Sequence, residues 1–286
     1  LNAERLARQL EIFVKKTKPR VIIFTFEGHA WERLVIKKVK NLNIGVLCVC
    51  YVHTMAFPNQ YASITSYESE FMPDCIMVAG NETKKVFEKN LSNSIPIRIL
   101  GSHKKINTVQ KFDKKKNIRI LILPEGFKSE TNLLFNFGLR LANQSRNTYI
   151  RIRLHPSMLN MIDYYTNLIK EKKINNIKIS TSTIGKDIRW SSHALYRGST
   201  SIIEAVSAGV MPIYYNLKNE LAIDPLFRKQ DRSYYVSSVT DVILILENWM
   251  KMSSEQQSKR KREFVRFCEN LLQPLNIKVL KKVIQN

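Results

Sequence analysis

Acidic residues are scarce: 24 Asp and Glu stand against 46 Lys and Arg in 286 residues, a formal charge of +22 with histidine neutral. So large an imbalance calls for an anionic partner or surface, whether nucleic acid, anionic lipid or polyanionic substrate. Long apolar runs are missing too. Nothing approaches the roughly 20 residues that a membrane-crossing helix requires, and no signal-peptide pattern opens the chain. It begins at Leu1 rather than Met, so a truncated or processed chain is expected. Only four cysteines occur, at positions 48, 50, 75 and 268, with no CxxC among them. Cys48 and Cys50 alternate onto one side of a strand-like run and read as core thiols in a reducing compartment. The fingerprints GxGxxG and GxxxxGK[ST] are absent, which excludes an ordinary dinucleotide lobe and a P-loop. No zinc-finger spacing, aromatic RNA-binding signature or GxxG clamp accompanies the lysines, so nucleic acid is not the favoured partner. The basic clusters Lys111–Lys116, Lys170–Lys173 and Lys259–Arg262 lie between elements, where solvated faces explain them.

What is present is an alternation of short apolar runs and amphipathic ones. A helix over Leu1–Lys16 precedes strand-like Val21–Phe26, a helix reaching Val39, and strands at Ile44–Val52, Cys75–Val78 and Ile95–Leu100. Lys104–Lys116 has no apolar period and reads as a linker. Beyond it come strands at Ile118–Leu123, Thr148–Leu154, Ile177–Ser180, Ala194–Tyr196 and Met211–Tyr215, separated by helical stretches. A strand-like Ser233–Val236 and helices over Val239–Met250 and Ser254–Leu272 follow, with a basic segment at Ile277–Ile284. This pattern predicts an α/β protein with two Rossmann-like lobes whose parallel sheets face a cleft. Residues 1–103 form the acceptor-side lobe, 104–116 the linker, and 117–286 the donor-binding lobe with its C-terminal helices.

Polar residues gather where predicted strands end, the ligand-binding edge of open parallel sheets. In Ala194–Tyr215 a strand runs through Arg197 and Gly198, both expected at the donor, into Ser199, Thr200 and Ser201, then a helix and a second strand. The free N–H groups of that helix start suit phosphate oxygens, although three hydroxyls there are also ordinary caps. Glu204 lies one turn further on the same side, placed for a ribose or sugar hydroxyl. Arg151, Arg153 and His155 alternate along one strand face to Pro156, a pattern for a phosphate clamp. His155 is also a candidate proton donor to a phosphate leaving group. Glu125–Gly126 ends the strand before it. In the first lobe His29 and Glu32 share a helical turn after Glu27; the carboxylates are candidate general bases, or a capping arrangement. His53 closes the second strand, either as an acceptor-side residue or as a structural imidazole. No ligand spacing supports a metal site.

Glu125–Gly126, Arg153-Leu-His155-Pro156 and Tyr196-Arg-Gly-Ser-Thr-Ser-Ile-Ile-Glu204, followed by Gly209-Val-Met-Pro212, resemble the donor lobe of bacterial GT-B glycosyltransferases. The nearest group is the CMP-sugar-dependent sialyltransferases and Kdo transferases of surface-polysaccharide assembly. The resemblance implies that His155 contacts the donor phosphate as general acid and that Ser199 and Thr200 bind the same phosphate. The family pattern has a second acidic residue where Pro124 stands, which moves the expected base to Glu27 or Glu32, with His29 beside them.

The activity so implied is transfer of an acidic sugar from a nucleotide donor, CMP-linked, to a glycan hydroxyl, without a cofactor or metal. It would proceed in the cytoplasm, with peripheral contact to the anionic inner face of the plasma membrane. Donors carrying UDP, GDP or dTDP are an alternative, as is a CDP-glycerol-type phosphotransferase. A non-catalytic polyanion-binding protein is the alternative from another class: it uses the charge and needs none of the strand-end His and Glu residues.

Overall fold

The computed structural model describes residues 2–55, 57, 61–91, 95–103, 118–220, 223–229 and 231–285, so the expected linker lies outside the described residues. The chain forms two compact units, residues 1–105 with 269–286, and residues 106–268.

The first unit is built from α1 (Asn2–Thr17), β1 (Val21–Thr25), α2 (Ala30–Lys40), β2 (Leu47–Val52), β3 (Cys75–Val78), α3 (Asn81–Asn90) and β4 (Ile97–Ile99). Its strands are all parallel in the order β1-β2-β3-β4. The short apolar runs predict such buried parallel strands, because helices must cover both faces. On one face Cys48, Cys50, Ile76 and Val78 pack with Ala7, Val14, Val35, Ile36 and Phe87. All four cysteines are buried thiols outside any disulfide, and burial pushes the Cys48 thiol up to about 12.

The other face carries Val49, Cys75, Met77 and Leu100, and here the expected domain boundary needs correcting. Leu280 and Val283 of the last helix, α10 (Ile277–Gln285), pack on this cluster. Gln273 N–H donates to the Ala79 carbonyl at 2.9 Å and Asn276 N–H to that of Leu100 at 2.8 Å. The final residues thus belong to the first unit rather than to the lobe at 117–286. The apolar face of the basic terminal segment covers the protein's own sheet.

The second unit holds β5 (Ile118–Leu123), α4 (Lys128–Gln144), β6 (Thr148–Ile152), α5 (Ile162–Glu171), β7 (Ile177–Ile179), α6 (Ile184–Trp190), β8 (His193–Tyr196), α7 (Ser201–Ser207), β9 (Met211–Tyr215), β10 (Tyr235–Val236), α8 (Val239–Lys251) and α9 (Ser254–Leu271), whose last turn falls in the first unit. The parallel sheet runs β10-β9-β8-β5-β6-β7. Ile120, Ile122, Ile150, Ile152 and Ile177 pack beneath Leu134, Phe137 and Leu141 of α4. The chain winds outward from β5 through β6 to β7, then returns to place β8 on the other side of β5. The β5/β8 junction is therefore the topological switch point, where open α/β sheets open a crevice beyond their carboxyl ends. Among the described residues, no helix is long and apolar enough to cross a membrane.

Candidate functional site

In the second unit the switch point gathers residues from three strand ends. Glu125 and Gly126 follow β5, His155 follows β6, and Gly198 follows β8. Their proximity is measured by what glycine makes room for. A Cβ on Gly198 would lie 1.9 Å from Glu125 Oε1, and a Cβ on Gly126 would lie 2.8 Å from both His155 Nδ1 and Ser157 Oγ. Among the described residues Glu125 Oε1 is buried with no hydrogen-bond partner, a costly state for a carboxylate oxygen.

His155 is the N-cap of a short turn opened by Pro156, whose missing N–H costs nothing there. Its Nδ1 is engaged by Ser157, 2.9 Å from Oγ and 3.2 Å from the backbone nitrogen, while Ser157 Oγ donates to the Gly126 carbonyl at 3.1 Å. These contacts fix the ring through Nδ1 and leave Nε2 as the atom for an outside partner. Ser199, Thr200 and Ser201 follow Gly198 directly, and Thr200 caps α7 without a side-chain hydrogen bond. Glu204 lies in the first turn of that helix.

Two arginines expected at the donor are held otherwise. Arg153 Nη1 donates to the Ser182 carbonyl at 2.5 Å and to Asp187 Oδ2 at 3.1 Å. Asp187 also receives Arg151 at 3.3 Å and the Ser180 hydroxyl at 2.6 Å. Arg197 is buried, with Nη1 on Glu130 Oε1 at 2.8 Å and Nη2 on Glu220 Oε2 at 2.5 Å. Burial raises the pKa of Glu130, and the neighbouring Arg197 opposes that rise. Both guanidiniums therefore meet carboxylates of the protein, so the expected donor contact through Arg153 and Arg197 gives way to an architectural one. Arg197 ties the end of β8 to the first turn of α4 and to the segment after β9, which fixes Gly198 against Glu125.

That segment has its own anchor, which the sequence did not disclose. Asp224, fully buried, accepts from the hydroxyls of Tyr196 at 2.7 Å, Tyr234 at 3.0 Å and Tyr235 at 2.7 Å, and from Leu226 N–H at 2.8 Å. Desolvation raises its pKa while these donors pull it back. The adjoining Ile223 side chain reaches within 3.0 Å of where a Gly198 Cβ would stand.

The first unit assembles a second cluster. Register pairs Thr25 with Tyr51, so Glu27 and His53 leave adjacent strands two residues later at matching positions. Glu27 Oε2 lies 3.2 Å from His29 Nε2 and Oε1 3.9 Å from His53 Nε2. Gly28, at φ +84°, makes the turn between them and passes the backbone of Ala62 so closely that a Cβ would stand 2.2 Å from its carbonyl carbon. Arg33, read only as part of the helix, secures that neighbour by donating to the carbonyls of Ala62 at 2.9 Å and Thr65 at 3.2 Å.

Glu32, expected as an alternative base, is 1% exposed and accepts from the backbone N–H groups of Glu27, at 3.1 and 3.0 Å, and of His29, at 2.7 Å. It is the capping carboxylate of α2. Its oxygens are engaged by the backbone, whereas those of Glu27 face the two imidazoles. Among the described residues no group of three or more His, Cys, Asp or Glu side chains is arranged to hold a metal ion.

No protein-family model matches the chain. No curated protein matches it by sequence. Solved structures do match in fold. MurG from Acinetobacter baumannii is similar with a TM-score of 0.63 at 12% identity, over 98% of this chain and 76% of that one. A GtfA/B complex gives 0.61 at 15% identity over 98% of this chain, which spans 61% of that chain's length. The UDP-GlcNAc 2-epimerase of Neisseria meningitidis, solved with UDP-GlcNAc bound, gives 0.58 at 13% identity over 99% of this chain and 81% of that one.

Proposed function

We propose that this chain, which has the GT-B fold of two Rossmann-like units, is a glycosyltransferase that binds a nucleotide-linked sugar at the β5/β8 switch point and moves the sugar to a glycan hydroxyl. One observation carries the reading: Glu125, His155 and Gly198 meet at that point, which holds a carboxylate oxygen buried without a partner among the described residues and an imidazole held through Nδ1.

The chemistry follows from charge. A phosphate is repelled by Glu125, so it belongs beside His155 Nε2 and the N–H groups and hydroxyls of Ser199, Thr200 and Ser201. Glu125 Oε1 then accepts from a hydroxyl of the donor, and Glu204 from the ribose. His155 donates to the phosphate as the glycosidic bond breaks, neutralising the charge that develops on the leaving nucleotide. In the first unit Glu27, flanked by His29 and His53, is the proposed proton acceptor for the attacking hydroxyl. The residues named need no metal to neutralise a phosphate.

For the donor base, the UDP-GlcNAc held by the epimerase supports uridine. The order of the Glu-Gly, His-Pro and Ser-Thr motifs is what favours CMP, the second reading. Cell-surface polymer synthesis is the proposed setting, with the +22 charge suited to an acidic glycan acceptor or to the anionic inner face of the plasma membrane.

Calorimetric titration with UDP, CMP, CDP and GDP, followed by product analysis with the corresponding sugar donors, tests this. The expected result is preferential UDP binding, weakened roughly tenfold or more in His155→Ala by loss of a charge-assisted contact, and a sugar attached to an acceptor glycan. CMP preference moves the assignment to the second reading. Recovery of an epimerised donor with no transfer replaces transferase with epimerase, and absence of any nucleotide binding removes the proposal.

A further inference from the structure

Strands buried in a parallel sheet carry apolar side chains on both faces, because helices cover both. β6 and β7 depart from this, reading Thr-Tyr-Ile-Arg-Ile and Ile-Lys-Ile. Ile150, Ile152, Ile177 and Ile179 enter the core under α4, so Tyr149, Arg151 and Lys178 stand on the other face. Register completes the patch: Arg119 of β5 is paired with Tyr149, and Arg151 with Lys178. These residues and Trp190, the last residue of α6, line a cavity of about 400 Å³ that contains no carboxylate in its lining.

The cations are arranged rather than merely present. The Arg151 guanidinium lies 4.0 Å from the Trp190 ring centroid and that of Arg119 lies 5.9 Å away. Such stacking holds a guanidinium flat while leaving its edge to bond. Asp187 takes one Nη of Arg151 and is shared with Arg153, but Arg151 Nε is buried with no partner among the described residues. Arg119 and Lys178 form no ion pair among the described residues. Tyr149 is 46% exposed.

We propose that this cavity is a binding site for an acidic saccharide, separate from the switch-point site. A carboxylate or phosphate of the sugar sits between Arg119, Arg151 and Lys178, and the apolar face of the pyranose rests on Tyr149. The volume suits one or two sugar rings. A polynucleotide needs a continuous basic track with repeated stacking rings, whereas this is a closed cluster with one exposed ring. Arg119 and Glu125 are six residues apart along β5 and its exit, a span of roughly 20 Å, so the two sites open at different ends of the sheet. The assignment does not depend on the transferase reading.

Calorimetry on the full chain tests it, with a glucuronic-acid-containing tetrasaccharide, N-acetylglucosamine 6-phosphate, neutral maltotetraose and a uridine 12-mer RNA as probes. Wild type is expected to bind the carboxylated sugar, the phosphorylated sugar or both, and whichever binds names the acid group. Maltotetraose is expected to bind at least roughly tenfold more weakly, and the Arg119→Ala/Lys178→Ala protein to lose a similar factor for the acidic probe, as two charge-assisted contacts are removed. Tyr149→Ala, a change at an exposed ring, is expected to weaken the sugar while leaving inorganic phosphate binding unchanged. Circular dichroism and the thermal midpoint establish that each variant is folded. Equal affinity for maltotetraose, equal affinity of the folded double variant, no binding of either acidic sugar, or tighter binding of the RNA through the same residues would each overturn the proposal.

Discussion

His193 shows how one side chain sets a pH response. It opens β8 fully buried, 5.4 Å from the Trp249 ring, with Nδ1 beside the Ser192 hydroxyl at 3.0 Å and Nε2 unpartnered among the described residues. Burial, with Lys261 adding repulsion, pulls its pKa from 6.5 down to about 3. The folded state therefore resists a proton that the unfolded chain accepts. The stabilising contribution is complete above pH 6.5 and is lost as the pH falls toward about 3. Within that window wild type should lose about 1.4 kcal/mol per pH unit more than His193→Gln, by urea midpoints at a series of pH values. Equal slopes would show that His193 is solvated. No local pattern marks this residue as buried, because its burial depends on α8, some 50 positions away. Glu32 was more legible: an acid three residues beyond an N-cap is a local signature, and its capping role was one of the two readings it allowed. Arg153 and Arg197 were not, since Asp187 lies 34 residues from the first and Glu130 lies 67 from the second.

At the scale of elements, α6 is pinned to β6 by charge. Its Asp187 carboxylate is fully buried and holds Arg151, Arg153 and Ser180. Removing one partner of a buried pair leaves the other charge uncompensated, so Asp187→Asn should lower the stability of the second unit by about 3 kcal/mol. Denaturant unfolding followed by Trp190 fluorescence, with Trp31 and Trp249 replaced by Phe, measures it. A loss below about 1 kcal/mol would place the pair in the class of surface bridges. The strands themselves were visible as short apolar runs, and every expected one is present. The order in which they pair was not, because alternation of strand and helix specifies parallel neighbours without stating where the winding reverses. The β5/β8 reversal is what brings Glu125 beside Gly198, so the candidate residues could be named in advance while their meeting could not.

For the whole molecule, the two units have different dependences on the C-terminus. Residues 269–286 complete the first, where Leu280 and Val283 cover Val49, Met77 and Leu100. Ending the chain after Leu272 should expose that cluster and speed amide exchange in β3 and β4, while β5, β6 and β8 keep their protection. Faster exchange throughout the second unit instead would contradict the division. The return of the chain to its first unit left no local mark, since Ile277–Ile284 is amphipathic and basic wherever its apolar side rests. The central claim is that the switch point of the second unit holds a nucleotide phosphate against His155. Imidazole ¹⁵N NMR during titration with UDP, with the resonance assigned by His155→Gln, tests it most directly. The Nε2 signal of His155 is expected to shift with saturation while that of the buried His193 stays in place; UDP that binds without moving His155, or does not bind, would overturn the proposal.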